Sequence, residues 1–147
     1  MAQASQEKPA LRLSRRFNAP CEKVWQAWTD PQALKQWFGP GEVSTVPVAE
    51  IDLRVGGRFH VLMLTDTGEE HDVSGIYQEV VPLQKLRFSW YWKSTPERVS
   101  MVTINLRPDG RGTVMDFLHE QFFDEQARQG HEHGWTGSFI KLQTLLG

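Results

Sequence analysis

The sequence predicts an α+β fold in which a seven-stranded antiparallel sheet is covered on one face by a long C-terminal helix, with two short helices after the first strand. Three observations carry this reading. The segment 124–147 holds a one-sided helical period, turn signals between Glu42 and Gln121 recur at the spacing of a meander of hairpins, and two proline-led apolar clusters follow a first strand. A chain of 147 residues suits one ordinary domain with a single core, expected here at 10–147.

Residues 1–9, MAQASQEKP, are small and polar and are expected to form a disordered tail. Leu11, Leu13 and Phe17 keep a period near two through LRLSRRF, which argues for a first strand ending at Asn18. Pro20 fits the first position of a helix, where its missing N–H is no loss, and Val24, Trp25 and Trp28 give that helix an apolar side. Asp30 and Pro31 start a second helix as cap and first-turn proline. Leu34, Trp37 and Phe38 form its apolar face, and Gly39-Pro40-Gly41 ends it. Trp25, Trp28 and Trp37 read as scaffold, because short helices must be pinned to the open end of the sheet.

Turn signals at Gly56-Gly57, Asp66-Thr67-Gly68, Pro82, Ser94-Thr95-Pro96 and Pro108-Asp109-Gly110 divide the next 80 or so residues into six further strands. The clearest are KLRFSWYW, with Leu86, Phe88, Trp90 and Trp92 on one face; VSMVTINL, with Val102, Ile104 and Leu106; and TVMDFLH, with Met115, Phe117 and His119. One apolar and one polar face per strand is the pattern of an antiparallel sheet covered on a single side. The cover is the terminal helix: at about 100° per residue, Phe139, Leu142 and Leu146 fall within roughly 40° of Trp135, and His131 joins them one turn upstream. Gly130, Gly134 and Gly137 interrupt this helix, each costing about 0.5–1 kcal/mol relative to alanine. Two explanations stand open: close packing or a kink, and space kept free beside Trp135.

A net charge of −2 gives no electrostatic reason to expect nucleic acid or an anionic membrane, and no apolar run approaches the ~18 residues of a membrane span. Arg12, Arg15 and Arg16 form the one local basic cluster, but alternation along a strand sends them to different faces, so a solvated edge is expected. The N-terminus lacks the apolar core of a signal peptide and the single cysteine, Cys21, excludes an internal disulfide; both point to a cytoplasmic location. Gly56-Gly57 and Asp109-Gly110 are turn chemistry, no nucleophile-elbow or phosphate-loop pattern is present, and no cofactor is expected.

The order strand, two short helices, six-stranded meander and long amphipathic helix resembles the helix-grip fold of the START and birch-pollen-allergen-like (SRPBCC) superfamily. Within it, the stretches APCEKVWQAWTDPQALKQWFGP, DLRVGGRF, GIYQEVVPLQKLRFSWYW, LRPDGRGTVMDFLHEQF and GHEHGWTGSFIKL resemble the bacterial branch related to the activator of heat-shock protein 90 ATPase. The resemblance implies a strongly curved sheet gripping the last helix, with a hydrophobic cavity between them. It leaves function open, because the superfamily includes lipid and hormone carriers, polyketide cyclases and co-chaperone domains, and it carries over no shared catalytic residue.

Five histidines invite a metal, but none is expected. His131 and His133 lie about 200° apart around a helix, whereas a helical zinc pair needs i, i+4 spacing; His119 and Glu120, neighbours in a strand, face opposite sides. His119 shares a strand face with Met115 and Phe117, and His131 shares the stripe of Trp135, so the two imidazoles are either hydrogen-bonded core groups or polar anchors of an apolar pocket. The candidate ligand-binding set is Phe59, Phe88, Trp90, Phe117, His119, His131, Trp135 and Phe139. The expected function is to hold a small hydrophobic or amphipathic ligand between sheet and helix, in a pocket of ~300 Å³ or more. A chaperone-associated interaction module is the second expectation. A cyclase- or hydrolase-like enzyme using the two histidines is the third, with no catalytic residue assigned.

Overall fold

The computed structural model describes residues 8–147, so residues 1–7 of the expected tail lie outside it. Strand β1 (Leu11–Phe17) leads into helices α1 (Cys21–Thr29) and α2 (Pro31–Leu34). These are followed by β2 (Val43–Ile51), β3 (Arg58–Thr65), β4 (Glu70–Val81), β5 (Lys85–Trp92), β6 (Ser100–Asp109), β7 (Gly112–Glu120) and α3 (Glu125–Leu146). All seven strands join one antiparallel sheet in the order β1-β7-β6-β5-β4-β3-β2. The meander therefore runs from β2 to β7 and ends against β1, and the curled sheet wraps α3 as a half-barrel, the helix-grip fold.

Local chemistry explains the element boundaries. Pro20 is the N-cap of α1 rather than its first helical residue, and its carbonyl accepts the N–H groups of Lys23 and Val24, so the missing donor costs nothing there either. The Asp30 carboxylate accepts the Gln32 N–H at 2.9 Å with Pro31 in the first helical position, as a capped start requires. Asp124 caps α3 in the same way through the Ala127 N–H at 2.8 Å. On β4 the register against β5 shifts between Tyr77 and Glu79, a bulge that bends the strand and tightens the curl. Nearby Gly75 lies so close to β5 that a Cβ would overlap the Ser89 carbonyl and the Phe59 ring.

The gripped face carries Val61, Tyr77, Leu86, Phe88, Ile104 and Met115, all buried. The helix lays Trp135, Phe139 and Leu142 on it. The second helix is shorter than expected, ending at Leu34, so Trp28 of α1 and Trp37 and Phe38 of the turn after α2 carry the aromatic rings into the interior. Trp28 packs edge-on to Trp37 at 4.7 Å between centroids, and Phe117 lies 4.7 Å from Trp135 and 5.1 Å from Phe139. The indole N–H of Trp37 donates to the Ala27 carbonyl and that of Trp28 to the Met115 sulfur, so neither ring buries an unpaired donor. Trp25 is half-buried at the edge of this cluster. The basic residues of β1 sit on an edge strand, where Arg16 pairs with Asp109. Among the described residues no helix is long and apolar enough to cross a membrane.

Candidate functional site: a cleft beside Trp135

The three glycines of α3 divide by their surroundings. A Cβ on Gly137 would lie 2.8 Å from the Cβ of Pro40, so this position is close packing, against the loop after α2 rather than against the sheet. A Cβ on Gly130 or Gly134 would meet nothing within 4 Å. Both border an open cleft of about 260 Å³, walled on the sheet side by Met63, Trp90 and Trp92, on the loop side by Phe38, Gly39 and Pro40, and on the helix side by Ala127, His131, Trp135 and Ser138. A second chamber of about 290 Å³ adjoins it, sharing Pro40, Met63, Trp92, Gly130 and Gly134 and adding polar walls from Glu42, Thr65, Glu69, His71 and His133.

The loop at the cleft mouth is fastened to α3. The Gly39 N–H donates to Ser138 Oγ at 2.9 Å, the Lys141 ammonium donates to the carbonyls of Pro40 at 2.8 Å and Val43 at 3.2 Å, and Glu42 pairs with His133 at 2.7 Å. Gly39 has φ +97°, and a Cβ there would strike the Val43 side chain, so no other residue fits this corner. Partial burial lowers the Lys141 pKa; a hydrogen bond to its own backbone and the His133 contact lower that of Glu42.

Behind the cleft the two imidazoles are held in defined tautomers. His131 Nδ1 lies 2.7 Å from the Ala127 carbonyl, which can only accept, so Nδ1 carries the proton. Its Nε2 then accepts two indole N–H groups, from Trp92 at 3.0 Å and Trp90 at 3.3 Å. His119 has the opposite arrangement: Nδ1 accepts the Trp135 N–H at 3.0 Å, so Nε2–H donates to Ser100 Oγ at 2.7 Å, and the hydroxyl donates onward to the Trp90 carbonyl at 3.3 Å. Burial disfavours the charged form of each, and the neighbouring His131 adds to the effect on His119, whose ring lies 5.0 Å away; both pKa values fall below the usual histidine range. A general base must offer an unshared nitrogen to its substrate. Here each basic nitrogen is already held by indole donors.

With this geometry in place, comparison with known proteins places the chain. The family model described as Activator of Hsp90 ATPase homolog 1-like protein matches residues 18–147. The chain belongs to that family. Among solved structures, a Silicibacter pomeroyi protein described as AHSA1 is 30% identical over 92% of this chain and 96% of its own, with a TM-score of 0.81. A Chromobacterium violaceum protein is 29% identical over 94% and 97%, TM-score 0.81, and one from Nitrosomonas europaea is 28% identical over 92% of each, TM-score 0.79. No curated protein matches the chain. The solved relatives share the helix-grip architecture of the SRPBCC superfamily over nearly their whole length.

In this Activator of Hsp90 ATPase homolog 1-like chain, three of the eight residues expected at the ligand site, Trp90, His131 and Trp135, line the cleft. His119 is wholly buried one layer behind, against Phe122 and His131. Phe117 and Phe139 belong to the aromatic filling, and Phe59 and Phe88 border a void of about 20 Å³ beside Tyr77; Phe59 also edges a hollow of about 570 Å³ with Glu50, His60 and Asp72, and Phe117 one of about 360 Å³ with Arg12, Ser14 and Asp116. The interior between sheet and helix near these five residues is occupied by the chain's own rings, Trp28 from α1 and Trp37 and Phe38 from the turn after α2, and the open cleft lies at the N-terminal half of α3. Trp92, Phe38, Met63 and the Gly39-Pro40 corner also wall the cleft and were absent from the sequence-based set. Trp92 was within reach, since it alternates with Trp90 on one strand face; Phe38 and Met63 carried no signal beyond ordinary apolar spacing.

Proposed function

We propose that the chain binds a small apolar or amphipathic molecule in the cleft between α3, β5 and the Phe38–Pro40 segment. The observation that supports this most is the pair Gly130 and Gly134, which weaken the helix and fill no packing role, yet leave open the space between it and Trp90 and Trp92. The cleft alone is slightly below the ~300 Å³ lower bound of common ligand sites, and the adjoining chamber carries the space beyond it. An apolar wall with few polar groups is the usual composition of such sites. The sole cysteine, Cys21, is free, which supports placing this activity in the reducing cytoplasm. Interaction with a chaperone rests on the family description alone.

The test is calorimetric titration with a neutral naphthalene alcohol, paired with native mass spectrometry of freshly purified protein for a co-purifying small molecule. Gly134→Leu places a side chain where nothing stands, so it should fill the cleft and abolish binding while the protein stays folded by circular dichroism. Undiminished binding in that variant would show that the ligand sits elsewhere.

A further inference from the structure

The inner cleft offers a ligand almost no hydrogen bond. Ser138 Oγ donates to the Gly134 carbonyl and accepts from Gly39, both nitrogens of His131 are engaged, and the indole N–H groups of Trp90, Trp92 and Trp135 all end on imidazole nitrogens. A polar group placed there would lose water and gain no partner. The inner half of any occupant is therefore apolar, and its polar end must lie in the outer chamber.

The outer chamber has a different chemistry. Glu42 comes from the loop after α2, Glu69 from the β3–β4 turn, His71 from β4 and His133 from α3. Each histidine is set against one carboxylate: His133 Nε2 lies 2.7 Å from Glu42 Oε1, and His71 Nε2 lies 3.0 Å from Glu69 Oε1. An uncharged imidazole donates one hydrogen bond to its carboxylate and leaves the negative charge in place. The nearby cation, Lys141, does not line the chamber and uses its ammonium on the Pro40 and Val43 carbonyls. Trp92 walls both chambers and presents its ring where apolar and acidic surfaces meet. Among the described residues no group of three or more histidine, cysteine or acidic side chains has the geometry to hold a metal ion. Two carboxylates on one chamber offer acceptors that suit a cationic head group.

We infer that the ligand is a small amphipathic amine, its aromatic or aliphatic body in the inner cleft and its ammonium group in the outer chamber with Glu42 and Glu69, beside the ring of Trp92. This rests on the cleft being a ligand site. The ammonium brings donors and no acceptor, as a pair of carboxylates requires, and an indole face adds cation–π attraction. A carboxylate head would meet like charge.

Three probes with one body separate the possibilities: 2-(1-naphthyl)ethylamine, 2-(1-naphthyl)ethanol and 1-naphthylacetate, titrated calorimetrically in one buffer. The amine should bind roughly three- to tenfold tighter than the alcohol, the sum expected of partly exposed ion pairing and cation–π contact, and the carboxylate weaker than both. Replacing both acids, Glu42→Gln with Glu69→Gln, should erase the amine's advantage, read as the ratio of amine to alcohol affinity within the same variant. An amine no tighter than the alcohol, or an advantage that survives the double replacement, overturns the amine assignment. If the alcohol still binds and Gly134→Leu still abolishes it, the cleft remains a ligand site with a different head group. Failure of all three probes to bind overturns both readings.

Discussion

Alanine substitution at the three helical glycines separates the two reasons for glycine within a single helix. At Gly130 and Gly134 the new methyl meets no atom within 4 Å, and neither residue has the positive φ that would strain an L-amino acid. Each change should therefore recover the helix-propensity difference, about 0.5–1 kcal/mol. For a domain of this size that corresponds to on the order of 2–4 °C in Tm per kcal/mol. Gly137→Ala makes the same propensity gain but sets its methyl 2.8 Å from the Pro40 Cβ and 2.9 Å from the Pro40 Cα. Pro40 is held by Lys141 and its neighbour Gly39 by Ser138, so the loop has little freedom to move away. Overpacking of that kind costs about 1–3 kcal/mol, which outweighs the gain.

The assay is urea or thermal unfolding of the three single variants and the Gly130→Ala/Gly134→Ala double variant, followed by titration with the naphthalene alcohol. Stability should rise in the first two and in the double variant and fall in Gly137→Ala. Binding should move the other way in the stabilised variants, because each methyl takes roughly 30 Å³, about one water's share of volume, from the cleft. A helix made more stable and less able to bind is the signature of residues kept for function at a cost in stability. If Gly134→Ala destabilises the protein, the space beside it is filled in solution and the reasoning from the cleft fails.

Three further outcomes follow from the same structure. His119 and His131 have folded pKa values below their usual 6.5, so their contribution to stability is complete above that pH and is lost as pH falls from there through the folded values. His60, raised chiefly by its hydrogen bond to Asp72 and also by Glu50, acts in reverse, stabilising below 6.5 and losing that contribution as pH rises through its folded value. The urea midpoint of a His60→Asn variant should thus fall more steeply between pH 7.5 and pH 5 than that of the parent, and a flat profile in that variant would contradict the burial of the imidazole pair. Ser100→Ala removes the acceptor for the buried His119 Nε2–H and should cost about 1–3 kcal/mol by denaturant unfolding. Phe139→Ala, in the filled interior, should cost about 3–5 kcal/mol, whereas Trp92→Ala, half-buried at the cleft, should cost less stability and more binding; equal stability losses would refute the division between filling and wall.

The backbone plan was legible because it depends on signals of short range. Strand alternation such as Leu86, Phe88, Trp90 and Trp92, the Asp30-Pro31 cap and the turn pairs each act within a few residues, and the sheet order follows from a meander with short connections. The site depends on which side chains win the space between sheet and helix, and that is decided by elements far apart in sequence. Periodicity puts Phe117 and Phe139 on the gripped faces correctly, but cannot say that Trp28 and Trp37 arrive from the other end of the chain to occupy the volume beside them. The glycines show the same limit. Gly134 and Gly137 look alike in the sequence, and only the placement of Pro40, roughly a hundred residues earlier, makes one a contact and the other an opening.

The histidines carry the point from packing to chemistry. Sequence places His119 and His131 on facing surfaces, and their rings do approach to 5.0 Å, yet proximity does not set what a histidine can do. That depends on where its lone pair goes. Trp135 takes the lone pair of His119, and Trp90 and Trp92 together take that of His131, so three residues that look like apolar wall are also the donors that fix both tautomers. The exchange runs both ways: the imidazoles satisfy three indole N–H groups that would otherwise be buried or turned toward the cleft without an acceptor. An apolar cleft can therefore be walled by indoles and an imidazole because their polar atoms are spent on one another. Under the proposed reading, discrimination between polar head groups falls to the side chains beyond Trp92, Glu42 and Glu69 among them.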